Sequence, residues 1–316
     1  MHDAAAFEAF YRQEIVPDLD RLEKIRKEQL KRVTFMWSSA IISLVLAFLL
    51  TMPVLVVIFL FIALGVYFYL FGFNRKRVDF KTEYKRVVIG KLATYISDQL
   101  VFTPNIFIPE STYNQSKIFL SDPDIYTGED LVTGKIGNTQ IQFCELHTKD
   151  RQTDSRGRTT YVTIFKGIFF IADFNKHFNG QTYVLSDFGE RFLGAFGRLM
   201  QSINVGRPDV VRLEDPEFEK EFVVYSSDPV EARYILSPAM MQRLLEYRKK
   251  TGSKIQCSFL NNNIYLAMPM KENLFEPSLR KSVMTMADVE GFYKDLLFCT
   301  SIVDELDLNT RIWTKE

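Results

Sequence analysis

The stretch from Val33 to Asn74, VTFMWSSAIISLVLAFLLTMPVLVVIFLFIALGVYFYLFGFN, contains 42 residues and no charged side chain. A helix needs about 20 apolar residues to cross ~30 Å of hydrocarbon, so the run has the length of two crossings. Thr51, Met52 and Pro53 divide it into Thr34 to Leu50 and Val54 to Phe73. Pro53 suits the first turn of a second helix, where its missing N–H costs nothing. The reading is a transmembrane helical hairpin whose turn barely emerges on the far side. The alternative, a hairpin buried within a globular fold, would require both helices to be covered on every face. A secretory signal is excluded, because its apolar core of about 7 to 15 residues would lie near the very start. Here a mostly polar segment, residues 1 to 32, comes first.

The flanks give the orientation. Lys24, Arg26, Lys27, Lys31 and Arg32 precede the first span, and Arg75, Lys76 and Arg77 follow the second. Positive residues near span ends stay on the cytoplasmic side, which predicts a multi-pass protein of the cell inner membrane with both termini cytoplasmic. Trp37, Tyr67 and Tyr69 fall at the cytoplasmic ends of the spans, where amphipathic rings prefer the headgroup level. Residues 1 to 77 carry 10 basic and 7 acidic side chains, and the remainder 29 and 32. The membrane-proximal part alone is positive, as an anionic leaflet would favour.

Four segments follow from this frame: an N-terminal cytoplasmic helix over 1–33, the hairpin over 34–73, a juxtamembrane amphipathic helix over 74–102, and a cytoplasmic domain over 103–316. In the first, Ile15, Leu19, Leu22, Ile25 and Leu30 form a loose apolar stripe, with an irregularity expected at Pro17. In the third, Phe80, Tyr84, Val87, Val88, Leu92, Tyr95 and Ile96 repeat at helical spacing. Thr103 to Pro123, with prolines at 104, 109 and 123, reads as a connection. Strands are predicted at Thr139 to His147, Tyr161 to Phe174, Thr182 to Leu185, Val210 to Leu213, Phe222 to Tyr225, Ile255 to Leu260 and Ile264 to Met268. The last two join through Asn261, Asn262 and Asn263, a residue type that tolerates positive φ.

Helices are predicted from Phe188 to Ile203 behind an Asp187 cap, from Pro238 behind a Ser237 cap with Gly252 beyond its end, and from Asp288 onward. The last carries Val289, Phe292, Leu296, Cys299, Val303 and Leu306 on one face. That face is expected to cover Phe165, Phe169 and Ile171 of the Tyr161 to Phe174 strand. Segregated strands and helices predict an α+β fold with a mainly antiparallel sheet. The fragment from 79 to 316 is expected to fold without the hairpin.

Chemistry-bearing residues are few. Zero net charge and a sequence pI near 6.9 argue against a nucleic-acid surface. Cys144, Cys257 and Cys299 are too far apart for a CxxC pair or a disulfide framework and read as small buried hydrophobes in a reducing compartment. His147 and His177 would approach each other if their strands pair, and Cys144 lies near His147. A zinc site would need three or four closely spaced ligands, and a Cys–His nucleophile an orienting third group. Glu214, Asp215, Glu217, Glu219 and Glu221 form either a hard-cation site or a solvated acidic turn. Lys149, Arg151, Arg156 and Arg158 mark an exposed hairpin tip that can touch anionic lipid or a partner. Asp187, Phe188 and Gly189 spell the kinase magnesium tripeptide without the other kinase elements. No phosphate-cradling, zinc-protease or serine-hydrolase motif occurs, and no cofactor is expected.

Three phrases, KGIFFIADFNK (Lys166 to Lys176), EFVVYSSDPVEARYILSP (Glu221 to Pro238) and NNNIYLAMP (Asn261 to Pro269), follow a charged helix and a two-span hairpin. In that order they resemble a family of uncharacterised bacterial membrane proteins, a domain of unknown function sometimes labelled galanin-like. The resemblance implies a bacterial inner-membrane location and brings no activity, cofactor or catalytic residue. The function expected is a membrane-anchored interaction or regulatory module that binds a partner protein or the lipid surface. The competing expectation is a membrane-tethered enzyme assembled from His147, His177 and the Glu214 to Glu221 acids. Nothing in the sequence specifies an oligomeric state.

Overall fold

The computed structural model describes residues 4–50, 79–119, 121–174, 179–186, 209–252 and 254–308, with a few helical positions between 58 and 67. It divides into two units, Met1–Lys91 with Glu276–Gly291, and Leu92–Phe275 with Phe292–Glu316.

The first unit is helical. Helix α1 (Ala4–Phe10) runs through a π-helical turn, Tyr11–Ile15, into α2 (Val16–Leu50). The widened turn falls where Pro17 has no N–H to give to the preceding turn, which accounts for the irregularity expected there. No break separates the helix expected over 1–33 from the start of the uncharged run, because α2 continues from Val16 to Leu50. Helix α3 (Phe80–Tyr84) starts at Asp79, whose carboxylate accepts from the Thr82 N–H, and passes through a second π-helical turn, Lys85–Ile89, into α4 (Gly90–Ile96). The sequence-predicted helix therefore ends before Val101.

Ile15, Leu19 and Leu22 of α2 and Phe80, Tyr84, Val88 and Ile89 are buried. Ile25 and Leu30 are only half-buried, and the stripe continues instead through buried Glu23 and Arg26. Arg26 donates Nε and Nη2 to the two Glu23 oxygens and Nη1 to the Leu279 carbonyl, while Glu23 accepts from the Val283 N–H. Arg21 to Glu83, Lys91 to Asp18 and Gln29 to Asp79 join α2 to the following helices. A fragment starting at 79 would lack α2, which belongs to a unit assembled from two separate stretches of chain.

The second unit is built on one nine-stranded sheet, in which every pairing is antiparallel. Its strands are β1 (Val101–Thr103), β2 (Ile125–Ile136), β3 (Thr139–Thr153), β4 (Thr159–Asp173), β5 (Thr182–Ser186), β6 (Asp209–Val211), β7 (Phe222–Ser226), β8 (Gln256–Leu260) and β9 (Asn263–Pro269), in the order β1-β2-β3-β4-β9-β8-β5-β7-β6. The β8–β9 turn places Asn261 and Asn262 at φ 48° and 69°, the left-handed region expected of those asparagines. This confirms an α+β fold with a large antiparallel sheet.

Strand period places Cys144, Leu146, Phe165, Phe169 and Ile171 on one face with Tyr183, Leu185, Tyr265 and Ala267. Contrary to expectation, the segment read as a plain connection covers this face. It contains the short helix α5 (Glu110–Gln115), and it buries Ile108, Tyr113 and Ile118 there. Tyr113 lies 5.4 Å from the Phe169 ring and stacks on Phe119 at 4.6 Å.

The remaining helices are α6 (Pro216–Glu221), α7 (Pro229–Ile235), α8 (Pro238–Thr251), α9 (Met286–Thr300) and α10 (Ile302–Glu305). In α8 the Ser237 hydroxyl accepts from the Met240 N–H, and Gly252 closes the helix at φ 64°, as the sequence predicts. Tyr247 of α8 donates to the Met268 sulfur and stacks on Phe298 of α9 at 5.8 Å. Met268 pairs with Ile168, so these helices lie on the face opposite Phe165, Phe169 and Ile171. The C-terminal stripe is buried as expected at Val289, Leu296, Cys299, Val303 and Leu306, with Tyr293 in place of half-buried Phe292. The face it covers is the one not foreseen. The predicted Phe188 to Ile203 helix lies outside the described residues.

Candidate functional site

A cleft of about 280 Å³ lies across β2, β3 and β4, lined by Glu129, Glu145, His147, Lys166, Glu272 and Asn273 among others. Two glycines let the strands close there. A Cβ at Gly128 would sit 2.5 Å from the Glu145 carbonyl oxygen, and one at Gly167, at φ 152°, 2.1 Å from the Met268 carbonyl oxygen. Register sets Thr127 opposite His147, His147 opposite Lys166, and Glu129 opposite Glu145, so these side chains share one face. The β2–β3 ladder slips between Glu129 and Val132, where Asp130 takes φ 63°.

The polar groups of the cleft hold the loop after β9. Glu145 accepts from the Leu274 N–H at 2.7 Å, Glu129 from the Asn273 amide at 3.1 Å, and Lys166 donates to the Lys271 carbonyl at 3.0 Å. His147 lies mid-strand, with Nε2 3.4 Å from the Thr163 hydroxyl. Partial burial, then the cations Lys149 and Lys166, lower its pKa, so the imidazole is neutral at pH 7. Cys144, one position from Glu145, points to the other face, where it is buried and accepts from the Ile108 N–H at 3.3 Å. Burial pushes its thiol up to about 12. The alternation of the strand separates Cys144 from His147, and the suggested Cys–His pair does not form. All three cysteines are free and buried. His177 lies outside the described residues.

The acidic run is structural. Asp215 caps α6 by accepting from the Glu217 and Phe218 N–H groups, and Glu219 accepts from the Leu213 N–H at 2.9 Å. Glu217 pairs with Lys249 at 2.6 Å, and Glu221 pairs with Arg248. These carboxylates serve a helix start and a helix–helix junction, which divides the catalytic set imagined from the sequence.

Beyond the cleft the β3–β4 hairpin runs out as a two-stranded arm. Strand β2 ends at Ile125 opposite Lys149, and β9 ends at Pro269 opposite Gly167. Among the described residues, 150–153 pair only with 159–162. The turn closes by Asp154 N–H to the Arg158 carbonyl at 3.0 Å and Gly157 N–H to the Asp154 carbonyl at 3.0 Å, with Gly157 at φ 75°. The Asp154 carboxylate accepts from the Arg156 and Arg158 N–H groups. A hairpin tip is thus present, with the strands paired out to Thr153 and Thr159, and every residue from Arg151 to Thr163 is exposed.

Of the residues expected to orient a membrane segment, Lys24, Lys27 and Lys31 are exposed on α2 and Arg32 half-buried, whereas Arg26 is consumed by Glu23. Trp37 is 61% and Tyr67 51% exposed. Arg75, Lys76, Arg77 and Tyr69 lie outside the described residues. Among the described residues no helix is long and apolar enough to cross a membrane. Most of the uncharged run beyond Leu50 is not described.

Sequence reasoning did not single out Glu145, Glu129, Lys166 or Glu272. The signal for Glu145 was present: it follows Ile141 and Phe143 at inward parity, where a charge needs a partner.

Residues 163–308 match the model of a family described as "Protein of unknown function (DUF3137)". All three phrases of the resemblance fall within that match. No curated protein matches the chain. A solved structure, the crystal structure of the mycobacterial trehalose monomycolate transport factor A, TtfA, is 12% identical over 56% of this chain and 74% of that chain, with a TM-score of 0.28. A likeness that slight carries no argument.

Proposed function

We propose that this chain is a membrane-tethered interaction module of a bacterial inner membrane, anchored through residues 34–73 as a two-span hairpin with both termini cytoplasmic. The observation that carries the reading is the surface of α2 beyond Val33. Phe35, Trp37, Ile41, Ile42, Leu44 and Val45 are all exposed, Leu44 by 73%. At 100° per residue they occupy one half of the helix circumference, an exposed apolar face broader than the stripe of an ordinary surface helix, and it must be taken out of water. Ile58 and Ile62 are exposed further along the same uncharged run. A bilayer supplies hydrocarbon to a face of that width.

On this reading the sheet unit presents surfaces to a partner or to the lipid, and the carboxylates of the cleft hold a loop in place. The test is extraction. Membranes from cells making the full chain are washed with high salt and alkaline carbonate, and the chain stays in the pellet. Release by either wash refutes the tether.

A further inference from the structure

We propose that the β3–β4 arm is a docking element for anionic lipid headgroups, a proposal that rests on the membrane tether for proximity. Side chains directly opposite each other in an antiparallel ribbon share a face. Lys149, Arg151 and Thr153 therefore stand beside Thr163, Tyr161 and Thr159, and Asp150 and Gln152 stand beside Val162 and Thr160 on the reverse. One face carries two cations and a tyrosine and no acid. The other carries Asp150, the one acid of 149–153 and 159–163.

The turn adds Arg156 and Arg158. Its one carboxylate, Asp154, is occupied by the backbone N–H groups of those two residues. The arm's own residues thus present four cations against two acids, with one acid turned away and the other holding the turn, while Asp124 at its base accepts from the Arg151 N–H at 2.7 Å.

Tyr161, 55% exposed directly across from Arg151, places an amphipathic ring beside a guanidinium. That combination suits the headgroup layer, where a ring rests at the interface and an arginine meets phosphate. A chain already held at a bilayer converts a weak surface contact into an intramolecular one, so a few cations suffice. An acidic protein partner is the rival occupant. The open two-sided ribbon offers it no pocket, whereas a planar anionic surface needs none.

The test uses the full chain in nanodiscs of phosphatidylcholine alone or of phosphatidylcholine with phosphatidylglycerol. Ser155→Cys at the exposed turn carries an environment-sensitive fluorophore, the native cysteines being buried. With phosphatidylglycerol the emission shifts to the blue and is quenched by spin-labelled lipid, and added salt reverses the change. Arg151→Glu with Arg156→Glu and Arg158→Glu lowers the docking equilibrium roughly 100-fold or more, returning emission to that in phosphatidylcholine. Emission that is the same in both lipids, or indifferent to salt in the unaltered arm, overturns the proposal and leaves the face to a protein partner. Retention of the chain on the discs in high salt is read separately. A silent probe on retained discs refutes the arm alone, and a chain lost from the discs refutes the tether.

Discussion

Leu296 lies on α9 with no exposed surface, in the sheet unit, and α9 gives one ring to an aromatic pair on either side of it in sequence. Tyr293 meets Tyr95 at 5.7 Å, and Phe298 stacks on Tyr247 at 5.8 Å. Leu296→Ala removes three carbons, a transfer loss of about 2.4 kcal/mol at ~0.8 kcal/mol each. A fully buried site collapses only partly into the space left, so a cavity contribution brings the expected loss to ~3–5 kcal/mol. Urea unfolding of the full chain in mild detergent, followed by tyrosine near-ultraviolet dichroism, reads it as a lower midpoint at constant slope. A loss below ~0.5 kcal/mol, the range of ordinary surface changes, would refute the core placement of α9 and make its stripe a docking face.

Three further outcomes follow from particular side chains. Glu23→Gln leaves Arg26 buried beside a neutral partner and should cost the helical unit ~3–5 kcal/mol in the same assay. The Arg26 guanidinium holds the Glu23 carboxyl at about 2, below its ordinary value, so the stability it contributes is present above pH ~4.5 and lost as pH falls toward 2. The variant should therefore show a weaker acid dependence over that range. Burial raises Asp295 to about 6, so its contribution is fully present below pH ~3.8 and lost as pH rises through 6. Asp295→Asn should stabilise the protein at pH 8 by about 1 kcal/mol, a figure discounted because the group is half-exposed, and a thermal melt at pH 8 that does not rise contradicts this. Gly167→Ala must displace the Met268 carbonyl at a positive φ, and a melting temperature unchanged by the substitution would contradict the close strand approach.

What was legible in the sequence depended on the source of each signal. Local chemistry read well: Ser237, Pro238 and Gly252 bound α8, and Asn261 and Asn262 turn β8 into β9. Period-2 apolar runs located seven strands with shifted ends. Strand β2 escaped because Gly128, Asp130 and Gly134 break its alternation, and its pairing with β3 is a non-local fact. Helix α5 hid among prolines and is held by Tyr113 against Phe169, which only the fold brings together. The choice of sheet face for α9 was equally inaccessible, since both faces of β4 are apolar along Ile168 to Ala172. In the cleft, parity marked Glu145, but its bond to the Leu274 N–H spans 129 residues. The tip cations were visible as a cluster, and their division from Asp150 onto one face required the register.

Topology of the uncharged run tests the tether most directly. A reporter active only outside the cytoplasm is fused after Glu316 or inserted beside Met52, in otherwise identical full chains. The account predicts a silent fusion at Glu316 and an active one at Met52. Activity at Glu316 with silence at Met52, or equal silence at both, would contradict a hairpin that enters and leaves the membrane from the cytoplasmic side.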